Sequence, residues 1–308
     1  MSKRRLGRSD LTMEPLVLGT NVIGGTIDEA RSFEVLDAFM AEGFTAIDTA
    51  DVYRAGASET IIGNWMKARG NRDQVLIFTK VGAENESGQR DNSAAWIAEG
   101  VERSLRRLKT DYIDLYQTHW PDARTPQEET LGAYDKLIRA GKVRAIGASN
   151  FDTKLLGEAL EISRRQGLAR YDTLQNEYNL YERESFEEVQ DLCVREEVSG
   201  IHYFSLARGF VTGKYRTEAD AGKSPRGPAV VQRYFNDKGF RILAALDRVH
   251  ERTGAARVEI ALAWLNAQPG TAAPIASATS VEQVKELARG ARLTLSEEDL
   301  RDLTEAGK

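Results

Sequence analysis

The 308-residue sequence has a single cysteine, Cys193, so no internal disulfide can form. It has no run of about 18 apolar residues and so no candidate membrane-spanning helix. Its net charge is −5 and no basic stripe is concentrated anywhere, which argues against a nucleic-acid partner. The start, MSKRRLGRSDL, is basic but lacks an apolar export segment. With the lone cysteine, this points to a cytoplasmic protein. There is no internal repeat beyond a strand–helix alternation, no low-complexity segment and no linker. No metal site is expected. What remains is a globular profile, 41% hydrophobic and 29% charged, large enough to fold without disulfide or metal support. The length fits one large domain or two ordinary ones.

Short runs rich in Val, Ile, Leu and Tyr alternate with longer segments of helical period. The strand-like runs are PLVLG (15–19), TAID (45–48), VLIFTK (75–80), YIDLYQTH (112–119), VRAIGAS (143–149), DTLQNE (172–177), SGIHYF (199–204) and TAAPIA (271–276). Phe33, Leu36, Phe39 and Met40 share one face of a helix over 28–43. Ser58 reads as the cap of a helix ending at Gly70. Thr125-Pro126-Gln127-Glu128 reads as a capping box, with Gly141 as the stop. Asp152 and Gly167 bracket the next helix. Arg106, Arg107 and Lys109 fall near a helix end, where cations offset the dipole. Eight such units close a (β/α)₈ barrel, here one domain over 1–308 preceded by a short hairpin. The alternative is an open doubly wound sheet. That fold more naturally carries a Gly-rich phosphate turn, and GTNVIGGT lacks the G-x-G-x-x-G spacing. Two connections are long and polar, 81–92 and 207–237. Both leave the C-terminal end of the barrel, where active sites of this fold sit.

The strand ends carry chemistry. The second ends in Asp48, the third in Lys80 and the fourth in His119, and Tyr53 follows in the loop above the second. Singly, each has an ordinary reading: a turn cap, a rim lysine, a half-buried aromatic, a structural histidine. Together on one face they make a proton-donating site. Tyrosine, with a pKa near ~10, is a poor acid until an ammonium favours its phenolate. Lys80 can supply that charge, and Asp48 can keep Lys80 charged and in place. His119 can orient a carbonyl oxygen while Tyr53 protonates it. Such a site needs a partner that attacks the carbonyl carbon, and a nicotinamide hydride fits.

These residues stand in a succession of motifs that resembles the aldo-keto reductases over essentially the whole chain. The motifs are LGRSDL, AIDTADVYRAGASE, FTK, RRLKTDYIDLYQTHWPD, GKVRAIGASNF, LQNEYNLYER, YFSLARGFVTGKYR and PIASATSVEQVKEL. The likeness is to the group containing bacterial general-stress reductases and potassium-channel β subunits. It implies a (β/α)₈ barrel that binds NADP(H) at its C-terminal face, with Asp48, Tyr53, Lys80 and His119 as the catalytic tetrad. Gly19, Thr20 and Asn21 would belong to the cofactor site. Ser149, Asn150 and Gln175 would hold the nicotinamide carboxamide, and Tyr203 would stack on its ring. Phe204, Ser205, Leu206, Ala207, Arg208 and Gly209 would wrap the pyrophosphate, with Lys214 adding charge. Ser277, Thr279 and Gln283 would meet the 2′-phosphate end, where Ser280 caps a helix and leaves N–H groups free for an anion. Trp96 and Trp120 would shape the substrate pocket.

The sequence departs from the family at three places. Phe204 stands in a position usually held by serine, and Ser205 in one usually held by proline. Leu287 replaces an asparagine expected at the adenine. No arginine or lysine occupies Ser277 or Thr279, and hydroxyls cannot hold a phosphate bidentately as arginine does. Arg226 and Arg289 are the residues considered to compensate, and NAD(H) is the alternative cofactor. The expected activity is interconversion of aldehydes or ketones with alcohols. Two rival readings are a cofactor-sensing interaction subunit and an aldolase with Lys80 as Schiff-base lysine.

Overall fold

The computed structural model describes residues 2–84, 88–224 and 226–308. Residues 85–87, inside the expected 81–92 connection, and Pro225 in the second long connection lie outside the described residues. Strands β1 (Arg4–Arg5) and β2 (Thr12–Met13) pair antiparallel as the expected hairpin. Leu6, Leu11 and Met13 from this hairpin join Val17, Phe78, Leu115, Ala145, Ile201 and Ala273 in a buried cluster within the barrel.

Eight strands follow: β3 (Val17–Gly19), β4 (Ala46–Asp48), β5 (Leu76–Val81), β6 (Ile113–Thr118), β7 (Val143–Ser149), β8 (Tyr171–Gln175), β9 (Ser199–His202) and β10 (Thr271–Ala276). They close in the order β10-β3-β4-β5-β6-β7-β8-β9, and every pairing is parallel. An open sheet is thereby excluded. The helices are α1 (Glu29–Ala41), α2 (Ala57–Arg69), α3 (Ala94–Leu108), α4 (Gln127–Arg139), α5 (Thr153–Gln166), α6 (Glu184–Glu196), α7 (Gly227–Tyr234), α8 (Asp237–Thr253), α9 (Arg257–Asn266), α10 (Val281–Arg292) and α11 (Glu297–Ala306).

Helix α3 shows why these segments are helical. Ile97, Val101, Leu105 and Leu108 recur at four-, four- and three-residue spacing and are buried against the barrel. Each fully buried aliphatic side chain contributes about 1.5–3 kcal/mol. Ser93 caps the start by accepting from the Trp96 N–H, and Lys109 ends the helix in a left-handed conformation. On α1, Leu36 and Phe39 are buried while Phe33 and Met40 pack at the margin.

Two local expectations are corrected. Ser58 does not cap α2: Gly56 holds that position, and Ser58 is buried within the first turn. Thr125 forms no capping box. Pro126 occupies the N-cap of α4 without a side-chain bond, and the Thr125 hydroxyl donates to Asp122 at 2.7 Å. The connection over 207–237 is ordered into 3₁₀ turns at Ala207–Thr212 and Glu218–Lys223, followed by α7. Phe210 and Tyr234 stack at 4.9 Å and anchor it, which is why a polar stretch folds onto the barrel.

Candidate active site

Asp48 ends β4, Lys80 lies one residue before the end of β5, His119 follows β6 directly, and Tyr53 opens a 3₁₀ turn (Tyr53–Gly56). Register explains why they meet. Asp48 sits opposite Phe78 and Lys80 opposite Gln117, so three adjacent strands present their C-terminal residues together. Lys80 is 0% exposed. Its ammonium donates to Asp48 Oδ1 at 2.6 Å and to the Thr49 carbonyl at 2.6 Å. Asp48 Oδ2 accepts from Gln175 at 3.0 Å and from Gln117 at 3.3 Å. Burial lowers the Lys80 pKa, but the Asp48 charge and then Tyr53 outweigh it, and the net direction is upward. Lys80 stays an ammonium.

That ammonium lies 5.1 Å from the Tyr53 ring centre. The phenol nevertheless ends above its ordinary range, because burial raises its pKa by more than Lys80 lowers it. The neighbouring lysine alone would give the opposite direction. Tyr53 therefore holds its proton at neutral pH, the state a general acid requires. His119 is pushed down to about 3 by burial, then by Lys80 and Arg90, so its ring is neutral. Its Nδ1 is buried with no hydrogen-bond partner among the described residues. The ring meets Tyr53 edge-on at 6.2 Å and lies 6.4 Å from Trp120, nearly parallel to it.

The turn carrying Tyr53 is strained. Arg54, Ala55 and Gly56 have φ of 53°, 55° and 88°, and the first two are residues that avoid this region. The start of α2 holds the turn. Ser58 accepts from the Thr49 hydroxyl at 3.0 Å and donates to the Thr20 hydroxyl at 3.0 Å, and Thr20 donates to the Asp48 carbonyl at 2.8 Å. Glu59, also buried, accepts from Thr79 and Arg107 at 2.6 Å each. Thr20, expected in the cofactor site, thus spends its hydroxyl on Asp48. Gln175, expected at the nicotinamide, spends its amide N–H on the Asp48 carboxylate, whereas Thr20 bonds the Asp48 backbone carbonyl.

A second network adjoins the first. Asn150, at φ 62°, donates to the His119 carbonyl at 2.9 Å and accepts from the Tyr203 hydroxyl at 2.7 Å. The Ser149 hydroxyl donates to the Gln175 carbonyl at 2.7 Å. In the loop after β9, Phe204, Ala207, Arg208, Gly209 and Gly213 all have positive φ. Ser205 donates inward to the His202 carbonyl and Ala207 is buried, while Leu206 packs against the core. Within the loop the amides of Ala207, Gly209 and Gly213 are bonded to the carbonyls of Phe204, Leu206 and Phe210. Lys214 and Arg208 bring cations to it. The Lys214 ammonium is 3.4 Å from where a Gly209 Cβ would stand, and Arg208 lies 3.9 Å over the Phe204 ring with its Nε buried and unpartnered. These are features an anionic cofactor tail fits.

Beyond β10, Ser277 donates to Asn21 at 3.0 Å, and Gly19 lies so close that a Cβ would meet Ser277 at 2.9 Å. Thr279 donates twice to Gln283, and Ser280 caps α10. Sequence reasoning missed Arg31, whose Nε donates to the Thr279 carbonyl at 3.1 Å. The pair is 248 positions apart, and only barrel closure, which sets α1 beside α10, could have suggested it.

Trp120, Asn150, Glu177, Glu182 and Tyr203 help line a cavity of about 400 Å³ at this face. Trp96 does not line it: on α3 it packs against the core with Arg103 4.5 Å over its ring. Instead Arg90 lies 4.7 Å over Trp120. Among the described residues, no cluster of three His, Cys, Asp or Glu could hold a metal, and no helix is long and apolar enough to cross a membrane.

The aldo/keto reductase family model matches residues 15–308. The chain is 37% identical to the aldo-keto reductase YhdN of Bacillus subtilis, covering 93% of this chain and 87% of that protein. It is 29% identical to an aryl-alcohol dehydrogenase [NADP(+)] of Phanerodontia chrysosporium, covering 96% of this chain and 83% of that protein. A solved thermostable aldo-keto reductase crystallised with the inhibitor epalrestat superposes with a TM-score of 0.82 at 30% identity, covering 100% of both chains. The protein is an oxidoreductase, and it belongs to the aldo/keto reductase family.

Proposed function

We propose that the chain is a cytoplasmic, NADP(H)-dependent reductase of small-molecule aldehydes or ketones, acting as a single domain with Tyr53 as general acid and, in the reverse direction, general base. The observation that carries this reading is the buried Lys80 ammonium held by Asp48 beside a protonated Tyr53. The cofactor assignment is supported by the Tyr203–Asn150–His119 network, the two cations, Arg208 and Lys214, on the loop after β9, and the capped N-terminus of α10. A relative bears the name aryl-alcohol dehydrogenase [NADP(+)], which agrees with it.

Bound with its nicotinamide at Tyr203, Ser149 and Asn150, the cofactor would supply the hydride. The chain's residues do the rest. His119, neutral, offers a ring N–H to the carbonyl oxygen and fixes its direction. Tyr53 holds the proton that this oxygen takes up as negative charge develops. Lys80 stabilises the phenolate left behind, and Asp48, braced by Gln117 and Gln175, keeps Lys80 charged. Trp120 lies 6.4 Å from the His119 ring and nearly parallel to it, a wall beside the group that meets the carbonyl.

The test is NADPH oxidation with 4-nitrobenzaldehyde by the wild type and Tyr53→Phe. Turnover should fall by roughly 10²–10⁴-fold in the variant while NADPH still binds. Unchanged turnover would remove Tyr53 from the chemistry.

A further inference from the structure

We infer that Arg31, on the first turn of α1, determines the preference for a 2′-phosphorylated cofactor over its unphosphorylated counterpart. This rests on the NADP(H) reading above. In barrels of this class the loops after the seventh and eighth strands, with an adjoining helix N-terminus, are the usual place for phosphate. Here that second loop runs from Ser277 to the cap of α10 at Ser280. Its side chains are hydroxyls and one amide, already bonded to Asn21 and to each other. Alone, they cannot pair the charge of a phosphate dianion.

The two arginines considered from sequence are less well placed or less free. Arg289 lies in the last turn of α10, with its Nε on Glu259 at 2.6 Å. Arg226 lies exposed at the start of α7. Arg31 instead reaches the loop itself. Barrel closure pairs β10 with β3, so the helices that follow those strands pack side by side. The Arg31 Nε donates to the Thr279 carbonyl at 3.1 Å, which fixes the guanidinium against the loop. Its Nη1 pairs with Glu34 on its own helix, and Nη2 has no hydrogen-bond partner among the described residues. Its charge also reaches Glu282 in the first turn of α10. That carboxyl is held below its usual range by its own backbone N–H and Ser280, and to a lesser degree by Arg31.

One edge of the guanidinium is therefore anchored to protein, and one nitrogen remains free. The contact with Glu34 is a same-helix pair on a side chain 40% exposed, a kind of bridge worth little and readily exchanged. A phosphate dianion offers two acceptor oxygens and more charge. A ribose 2′-hydroxyl offers a guanidinium almost nothing.

Dissociation constants for NADPH and NADH would be measured by fluorescence titration of the full chain as wild type, Arg31→Ala, Glu34→Gln and Arg226→Ala. The ratio of the NADH constant to the NADPH constant should fall about tenfold in Arg31→Ala, the loss of one charge-assisted pair. It should rise about twofold in Glu34→Gln, which frees Nη1 without touching the loop. A ratio unchanged in Arg31→Ala, with the wild type still preferring NADPH, overturns the inference and leaves the cofactor reading standing. Equal loss of both affinities also overturns it, because Arg31 would then only brace Thr279. A fall in Arg226→Ala alone assigns the phosphate to that residue instead. A wild type that binds neither nucleotide defeats the cofactor reading, and this inference with it.

Discussion

Substituting Asp48→Asn tests the core of the site. Lys80 is fully buried, and its two partners are the Asp48 carboxylate and the Thr49 carbonyl, both at 2.6 Å. At that separation and an effective dielectric near 20, the charge–charge attraction is roughly 6 kcal/mol. Part of this is offset by the cost of taking both ions out of water, and breaking a buried pair from one side costs about 3–5 kcal/mol. The expected loss of stability by urea unfolding at neutral pH is therefore about 4 kcal/mol. The pH dependence has a definite sign. Without the carboxylate, burial dominates at Lys80 and lowers its folded pKa below the unfolded one, so the folded state binds fewer protons. The deficit should be greatest at low pH and shrink as pH rises toward the unfolded lysine value. Asp48→Asn with Lys80→Met removes both charges and should recover most of the stability. Its carbonyl reduction should stay as low as in the single variant, because Tyr53 then has no cation beside it. A single variant within about 1 kcal/mol of wild type, or a double variant no more stable than the single, would refute the claim that this pair is a buried, mutually dependent unit.

Two predictions concern pH. His119 and His202 are both pushed down to about 3, chiefly by burial, against an unfolded value near 6.5. The folded state refuses protons that the unfolded state binds, so stability present above pH ~6.5 should be lost on acidification, at up to about 1.4 kcal/mol per pH unit for each ring. Urea midpoints between pH 6 and 4 measure this, and His202→Gln should flatten the slope. The profile of kcat/KM should show no inflection near pH 6.5; one that vanishes in His119→Asn would contradict a neutral His119. Asp51 behaves oppositely. Burial and then Glu59 raise it to about 7, and one carboxylate oxygen is buried without a partner. Its folded pKa exceeds the unfolded one, so stability held below pH ~4 is lost as pH rises through 7. Asp51→Asn should gain about 2 kcal/mol at pH 8 relative to pH 4, read by thermal unfolding; no pH-dependent gain would show that Asp51 ionises freely.

What the sequence could reveal depended on how local the physics was. The barrel was legible because each apolar run is followed by a helix that starts or stops at a marked residue, such as Asp152 or Gly167, and eight such units have few ways to pack. The meeting of Asp48, Lys80 and His119 was legible for the same reason: strand ends fall on one face whatever the loops do. Ser58 and Thr125 were misread because a hydroxyl before a helix has two uses. The Ser58 hydroxyl is taken by its tertiary neighbours Thr49 and Thr20, and the Thr125 hydroxyl by Asp122, three residues before it. Trp96 lies on α3 under Arg103 and lines no part of the cavity beside Trp120, a placement that its residue type and position do not announce.

The direction of the Tyr53 shift was hidden for a different reason. Charge is written in the sequence, as Lys80 and Asp48, but desolvation is a property of everything packed around a group. Here it outweighs the lysine, so the phenol rests as an acid. In the proposed reaction Lys80 would act mainly once the proton has gone: it would lower the energy of the phenolate more than that of the resting phenol, which is the differential stabilisation catalysis requires.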